Sequence, residues 1–436
     1  MPARPAPQPA RRGPRRPLSH AAGFRLVAVT LVVLVAASSA PSPIFPVYQA
    51  EWGLGPTAVT LVFAVYAGAL LVALLTVGSL SDHLGRRPVL LAGVVGVVLA
   101  MVLFAVADSV GWLIGARILQ GVSTGTAIGA LGAALLDLAG PGQAPRAQLV
   151  NGAAPPVGLT LGGVGAGLLV QFGPAPTRMV YVVLAAVLVV VAVLLVRLPS
   201  AVDPVPGALR SLAPVVRVPP ASRAALAAGA PGFIGSWALG GLFLGLGGSI
   251  VAQVLGRSDH LVSGLVVAAV AGVGAVVGVV TRSTAPHRVV LAGSVAFLVG
   301  PALFVVALDQ ASTGLFFTAA AVSGLGFGAG FQGGLRAVLA TAPAHERAGV
   351  LAAVYVMSYL AFGVPAVVAG SFAPRLGLEA VADGYAGLVV LLGVVGVVVG
   401  LRGVRARAVA AAVPAQGRRR LEAPAPVPGA GEDANR

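Results

Sequence analysis

Twelve long apolar runs, rich in Val, Leu, Ala and Gly, alternate along the 436 residues with short polar or Pro/Gly-containing turns. They cover 24–46, 57–80, 88–107, 111–138, 147–171, 178–198, 224–251, 261–280, 288–308, 313–340, 349–371 and 384–402. A bilayer core of about 30 Å is crossed by roughly 20 helical residues, and only a helix or a closed barrel satisfies every backbone N–H and C=O there. The run lengths match the helix and far exceed a barrel strand. The pattern predicts an all-α integral membrane protein with twelve transmembrane helices.

The longest interruption, "PSAVDPVPGALRSLAPVVRVPPAS", is too rich in proline to be a further span. It divides the chain into an arginine- and proline-rich tail (1–23), a six-helix bundle (24–198), a linker (199–222), a second six-helix bundle (223–402) and a terminal tail (403–436). An internal repeat supports two pseudo-symmetric halves: "RPVLLAG" at 87–93 stands 200 residues before "HRVVLAG" at 287–293, and Gly78 matches Gly278 at the same offset. Loops on the side of the N-terminus carry Arg86, Arg87, Arg146, Arg197, Arg210, Arg217, Arg223, Arg282, Arg288 and Arg347, against Arg178, Arg257 and Arg375 on the other. The positive-inside bias therefore predicts cytoplasmic termini in the cell membrane. The run after "RRGPRR" is too long for a signal core and reads as an uncleaved first helix, with both tails as disordered arms near anionic headgroups.

Composition narrows the chemistry. Charged residues are only 9% of the chain, the mean hydropathy is +0.97, and all 28 basic residues are arginine. Without lysine there is no Walker A motif or Schiff base; without cysteine there is no thiolate nucleophile or thiolate metal site; the 5 histidines are scattered. These absences predict no enzyme, no cofactor and no metal. The net charge of +15 sits between apolar runs and at the ends without aromatic interleaving, so no nucleic acid is expected as a partner. A G-x-G-x-x-G at 328–333 lies inside an apolar span with no preceding strand and reads as helix packing.

Polarity concentrates in a few places. "GSLSDHLGRRPVL" brings Gly78, Asp82, Gly85, Arg86, Arg87 and Leu90 between the second and third spans. Glycine at 78 permits close helix approach and glycine at 85 a sharp turn; Asp82 would suit the unpaired N–H groups starting the eleventh helix near Ala348, with Arg86 bridging Asp82 to Asp137. Arg86 and Arg87 also serve as plain orientation signals. In "LIGARILQGVSTG", Arg117 inside a span costs about 2.5–3.5 kcal/mol unless it faces a cavity or partner, and Gln120 shares its face. Snorkelling outward is the other reading of Arg117. In "APPVGLTLGGVGAG", Gly158 and Gly162 line one helix face and Gly163 and Gly167 another.

These stretches together resemble the major facilitator superfamily over essentially all twelve spans. The first matches its loop signature G-x-L-x-D-x-x-G-R-R/K-x-x-L, with His83 where a basic residue is usual; the second matches its helix-four Arg and Gln-Gly pattern. The third is similar to the helix-five segment of antiport members, with Ala154-Pro155 for the family's Gly-Pro, and "APSPIFPVY" to the first helix of drug exporters. In the second half, "GVVTRSTAPHR" keeps Gly278 but has Arg282 where an acid is expected, so the loop's pseudo-symmetric mate reads as lost.

The resemblance implies two halves rocking around a central cavity lined by helices one, four, seven and ten. Candidate cavity residues are Ser38, Ser39, Arg117, Gln120, Phe233, Trp237, Phe331 and Gln332, with Asn151 and Tyr359 from adjacent helices; each aromatic could equally be core or lipid-facing. Such a set suits a small amphiphilic or hydrophobic organic compound. The expectation is a monomeric secondary transporter, an efflux antiporter of multidrug-resistance type coupled to protons. No Asp or Glu lies deep in a span to carry the proton. Import of a sugar-like or organic metabolite is the nearest alternative, and a membrane sensor or scaffold that moves nothing is the alternative from another class.

Overall fold

The computed structural model describes residues 18–199, 205–257 and 259–412. Most of the expected tail at 1–23, residues 200–204 of the linker and residues 413–436 lie outside them. Among the described residues, eleven helices are long and apolar enough to cross a membrane and a twelfth has 17 apolar residues. In chain order they are α1 (His20–Trp52), α2 (Pro56–Val77), α3 (Arg86–Ala105), α4 (Val110–Asp137), α5 (Ala144–Phe172), α6 (Met179–Leu195), α7 (Pro220–Gln253), α8 (His260–Ser283), α9 (Pro286–Asp309), α10 (Thr313–Leu339), α11 (Arg347–Leu376) and α12 (Leu378–Ala412). Successive helices alternate in direction, so α1 begins and α12 finishes at the same end of the bundle, called here the terminal end. The expected final span stopped at 402, whereas α12 continues to Ala412.

Lipid is as apolar as a leucine side chain, so these helices associate through close packing rather than through the hydrophobic effect. Large apolar residues such as Val72, Leu99, Val190 and Leu391 accordingly point outward. Small residues lie inside. A Cβ added at Gly121 or Gly125 of α4 would lie 2.6 Å from the carbonyl of Tyr66 or Leu70 on α2, and one at Gly158 of α5 would lie 2.6 Å from that of Val32 on α1. The other face of α5 differs in partner: Gly163 and Gly167 pack on Gly264 and the backbone at His260 of α8. One glycine-rich helix thus serves two interfaces at once.

Contacts between the first six helices and the last six run along α2–α11 and α5–α8. Among the described residues, the side-chain hydrogen bonds joining these two sets of helices all lie at the end away from the termini. Thr57 donates to the Gly370 carbonyl (2.7 Å), Ser249 to Gln49 (2.7 Å), and the His260 N–H to Gln171 (2.9 Å). The far end is therefore the pinned one.

Candidate functional site

The site begins with a proline problem in α1. Pro41 and Pro43 lack N–H groups, so the carbonyls of Ala37 and Ser39, four residues earlier, lose their helical donors. The regular helix stops at Ser39, a 3₁₀ turn covers Ser42–Ile44, and helix resumes at Phe45. Helix α4 supplies the missing donor: Gln120 Nε2 donates to the Ala37 carbonyl at 2.8 Å. One turn earlier, Arg117 Nη1 donates to the Ser38 carbonyl (3.0 Å) and to Gln120 Oε1 (2.9 Å). The Ser39 hydroxyl docks α5 by donating to the Leu159 carbonyl at 2.9 Å.

Arg117 is 1% exposed and Gln120 is fully buried, so the guanidinium points inward rather than snorkelling. It stands over the rings of Tyr66 (5.2 Å), Phe45 (5.8 Å) and Phe104 (5.8 Å). Its Nε has no hydrogen-bond partner, and none of the three ion pairs among the described residues includes it. Tyr66 donates to Ser38 Oγ at 2.7 Å, closing a small polar cluster of α1, α2 and α4. This cluster borders a central cavity of about 110 Å³.

The opposite wall is aromatic. Trp237 of α7 lies 4.6 Å from Tyr359, 5.5 Å from Phe362 and 5.8 Å from Phe331, and Phe63 of α2 stacks at 4.5 Å on Phe362. Among the described residues, no Asp or Glu lines the cavity. Helix α7 widens into a π turn at Leu242–Leu246, beside the cavity residues Gly240 and Leu244. Such one-turn bulges recur at functional sites because they re-aim the helix. At about 110 Å³ the space is below the roughly 300 Å³ of an ordinary ligand pocket, so an organic substrate needs the walls to part. A larger cleft of about 600 Å³ at the far end, beside Gln253, Glu379 and Asp383, is open to the surface and shares no residue with this cavity.

Of the sequence candidates, Ser38, Arg117, Trp237 and Tyr359 line the cavity. Gln120 stands behind Arg117, and Ser39 is spent on α5. Phe233 is buried nearer the terminal end with Val338 and Val350, in edge contact with Phe331 at 5.9 Å. Gln332 lies between Gly278 and Gly152, and Asn151 is exposed beside Gly132. Sequence reasoning missed Tyr66, Phe63, Phe327 and Phe362. A usable signal existed for the first: 5 of the 6 tyrosines, Tyr66 among them, lie within the apolar runs, where a hydroxyl needs a partner.

At the terminal end, Gly85 takes φ +87°, a left-handed value that turns the chain from the short helix Leu80–Leu84 into α3. Gly78 abuts Gly129 of α4. Arg86, with its side chain 13% exposed, donates to Asp137 (2.8 Å), Ser81 (2.8 Å) and Asp82, tying the loop to the end of α4. The Asp82 side chain is 58% exposed and, among the described residues, its carboxylate bonds to Arg86 alone. The start of α11 meets the linker instead, where Gly349 abuts the Arg217 backbone. The linker also pairs with the loop, through His83 and Val205 (N–H to carbonyl 2.9 Å) and Ser79 to the Ser211 carbonyl (3.0 Å). An exposed pair of this kind contributes about 0–1 kcal/mol. Asp82→Asn is therefore expected to leave thermal stability nearly unchanged, and a large fall in melting temperature would show that the Arg86–Asp82 pair holds the loop more strongly than an exposed pair should.

The second-half loop has an organiser of another kind. Arg336, near the terminal end of α10, donates to the carbonyls of Arg282 (2.8 Å), Thr281 (3.2 Å) and Thr284 (3.3 Å). Like Asp137 on α4, it lies in the last turn of its helix at the terminal end. The acid absent at Arg282 is replaced by backbone oxygens, which the sequence pattern could not reveal.

A sequence profile described as Major Facilitator Superfamily matches residues 27–288, more than half of the chain. The chain belongs to the Major Facilitator Superfamily. Its membership makes it a membrane transporter of small molecules and not an enzyme. Solved structures agree in fold. A bacterial homologue of the human lysosomal transporter Spinster, in an inward-facing and unoccupied conformation, matches with a TM-score of 0.71 at 13% identity, over 87% of this chain and 97% of that one. A mutant of the nucleoside transporter NupG gives 0.66 at 13% identity over 86% and 99%, and a bacterial homologue of the human drug peptide transporters gives 0.65 at 14% over 88% and 97%. No match was found among curated proteins.

Proposed function

We propose that this superfamily member exports a small amphiphilic or hydrophobic organic compound across the cell membrane by alternating access, in exchange for protons. The observation that carries this reading is the cavity itself: an aromatic wall of Phe63, Trp237, Tyr359 and Phe362 faces one guanidinium, with no carboxylate in the lining. Aromatic surface takes up an apolar body, and a few placed polar groups orient it. The halves rock about this cavity, and the termini are cytoplasmic, as the arginine bias requires.

The far-end hydrogen bonds then close the outside, so the described arrangement accepts cargo from the cytoplasm. Opening outward breaks them and brings Asp82 to the N–H groups at the start of α11, displacing the linker from Gly349. Proton antiport rests on the likeness of helix five, whose Gly163 and Gly167 form the α5–α8 contact that must slide. Purified protein in liposomes with an imposed pH gradient tests the whole reading. Gradient-dependent efflux of aromatic amphiphiles is expected; flux that ignores the gradient removes proton coupling, accumulation in the direction of import reverses the assignment, and no flux across a broad panel defeats it.

A further inference from the structure

We infer that the cargo is an organic monoanion, a carboxylate or equivalent acid on an aromatic or otherwise apolar body, whose charge pairs with Arg117. The inference rests on the transport reading above and adds the substrate class. Arg117 is a cation buried to 1% exposure at the edge of the cavity, without an acidic partner and with Nε unpaired. Its two protein acceptors, the Ser38 carbonyl and Gln120 Oε1, are neutral dipoles that orient the group without cancelling its charge. An uncompensated buried charge is unfavourable until an opposite charge reaches it.

The geometry limits what that opposite charge can belong to. One guanidinium neutralises one carboxylate, and a second anionic group would stand unpaired among Phe63, Trp237, Tyr359 and Phe362. An organic cation would gain cation–π contact with the same rings. At a few ångströms in a poorly screened site, however, its repulsion by Arg117 exceeds that gain. An inorganic anion would surrender its hydration to an apolar wall that returns nothing. A neutral body fills the space but leaves the charge uncompensated. The Tyr66 hydroxyl, bonded to Ser38 Oγ beside Arg117, offers the anion a further donor by rotation.

The test reads binding separately from transport. The chain has 3 tryptophans, so Trp237 becomes the sole reporter in a Trp52→Phe, Trp112→Phe background. Quenching of Trp237 in detergent is titrated with 4-butylbenzoate, its methyl ester, 4-butylbenzylamine and 4-butylphthalate. The benzoate should bind at least about tenfold more tightly than the other three. Arg117→Gln should bring benzoate to within about twofold of the ester while leaving the ester unchanged, and Arg117→Lys should keep part of the preference. Equal binding of acid and ester, preference for the amine or the dianion, or an acid preference surviving in Arg117→Gln overturns the inference. If Arg117→Gln fails to fold, the Arg117→Lys series and the wild-type ranking decide it. Flux measured on the same compounds keeps the two readings apart. Acid-selective binding without flux in liposomes strikes the transport reading alone, and flux that does not favour the acid strikes this one alone.

Discussion

Gly264→Leu is expected to cut transport at least about tenfold while leaving a folded protein. A Cβ at Gly264 runs into the carbonyl of Gly163 across the α5–α8 contact, and Gly167 gives no slack, since its own Cβ would lie 3.0 Å from the His260 carbonyl. Overpacking costs about 1–3 kcal/mol, and leucine favours helix more than glycine, so the penalty falls on the interface rather than on α8. Each half keeps its own packing, and the far-end-closed arrangement bears the strain. A bias of that size moves a two-state population about 5- to 150-fold. The chain contains no cysteine, so spin labels at Gln49→Cys and Ser249→Cys report the far end without background. Their separation should lengthen in Gly264→Leu, as should that of a pair spanning Thr57 and Ser371. An unchanged distance distribution with normal turnover would show that this glycine contact does not gate the cycle.

The second large effect is expected at Gln120, and proline makes it conditional. Interhelical side-chain hydrogen bonds in membrane proteins average only about 0.6 kcal/mol, because the unfolded chain in lipid finds substitutes. The Ala37 carbonyl is different. Its own helix has no donor to offer while residue 41 is proline, and the same Gln120 also holds the Arg117 guanidinium. Gln120→Leu orphans the Ala37 carbonyl and leaves Arg117 only its Ser38 acceptor, so a loss of about 2 kcal/mol is expected in reversible unfolding from mixed micelles. Pro41→Ala restores an N–H four residues beyond Ala37 and should remove about half of that loss. The double-mutant cycle then shows a coupling of about 1 kcal/mol between a proline in α1 and a glutamine in α4. Strict additivity would mean that the proline-freed carbonyl is not what Gln120 serves.

Much of the architecture was legible in the chain because the bilayer leaves few choices. Backbone satisfaction demands helices, hydrocarbon thickness sets their length, and the exclusion of charge from lipid marks their ends. The spans read from the apolar runs therefore differ from the helices only at their boundaries. The loop signature between α2 and α3 was equally legible, because a left-handed Gly85 and a bridging Arg86 are local requirements carried by neighbouring residues.

The cavity was legible only in part. Arg117 stood out because a charge in a span needs a reason, but Phe63, Phe327 and Phe362 did not, since an aromatic residue in an apolar run has no preferred neighbour until helices pack. Arg336 escaped for a related reason. Its partners are carbonyls, which every residue possesses and no sequence pattern marks.

The sequence by itself determined that the chain spans a membrane about twelve times and that lysine and cysteine chemistry are absent, and it left Arg117 either to turn inward or to snorkel outward. These follow from composition and from the fixed cost of placing polar groups in hydrocarbon. Only the tertiary structure decided that Arg117 turns inward and what shelters it: the Ser38 carbonyl at the break in α1, a glutamine one turn away that also serves the proline-freed Ala37 carbonyl, and three rings, with no acid among them. Those partners come from separate helices, and which helix faces share a centre is settled by close packing of small residues, a property of pairs of surfaces rather than of any one segment.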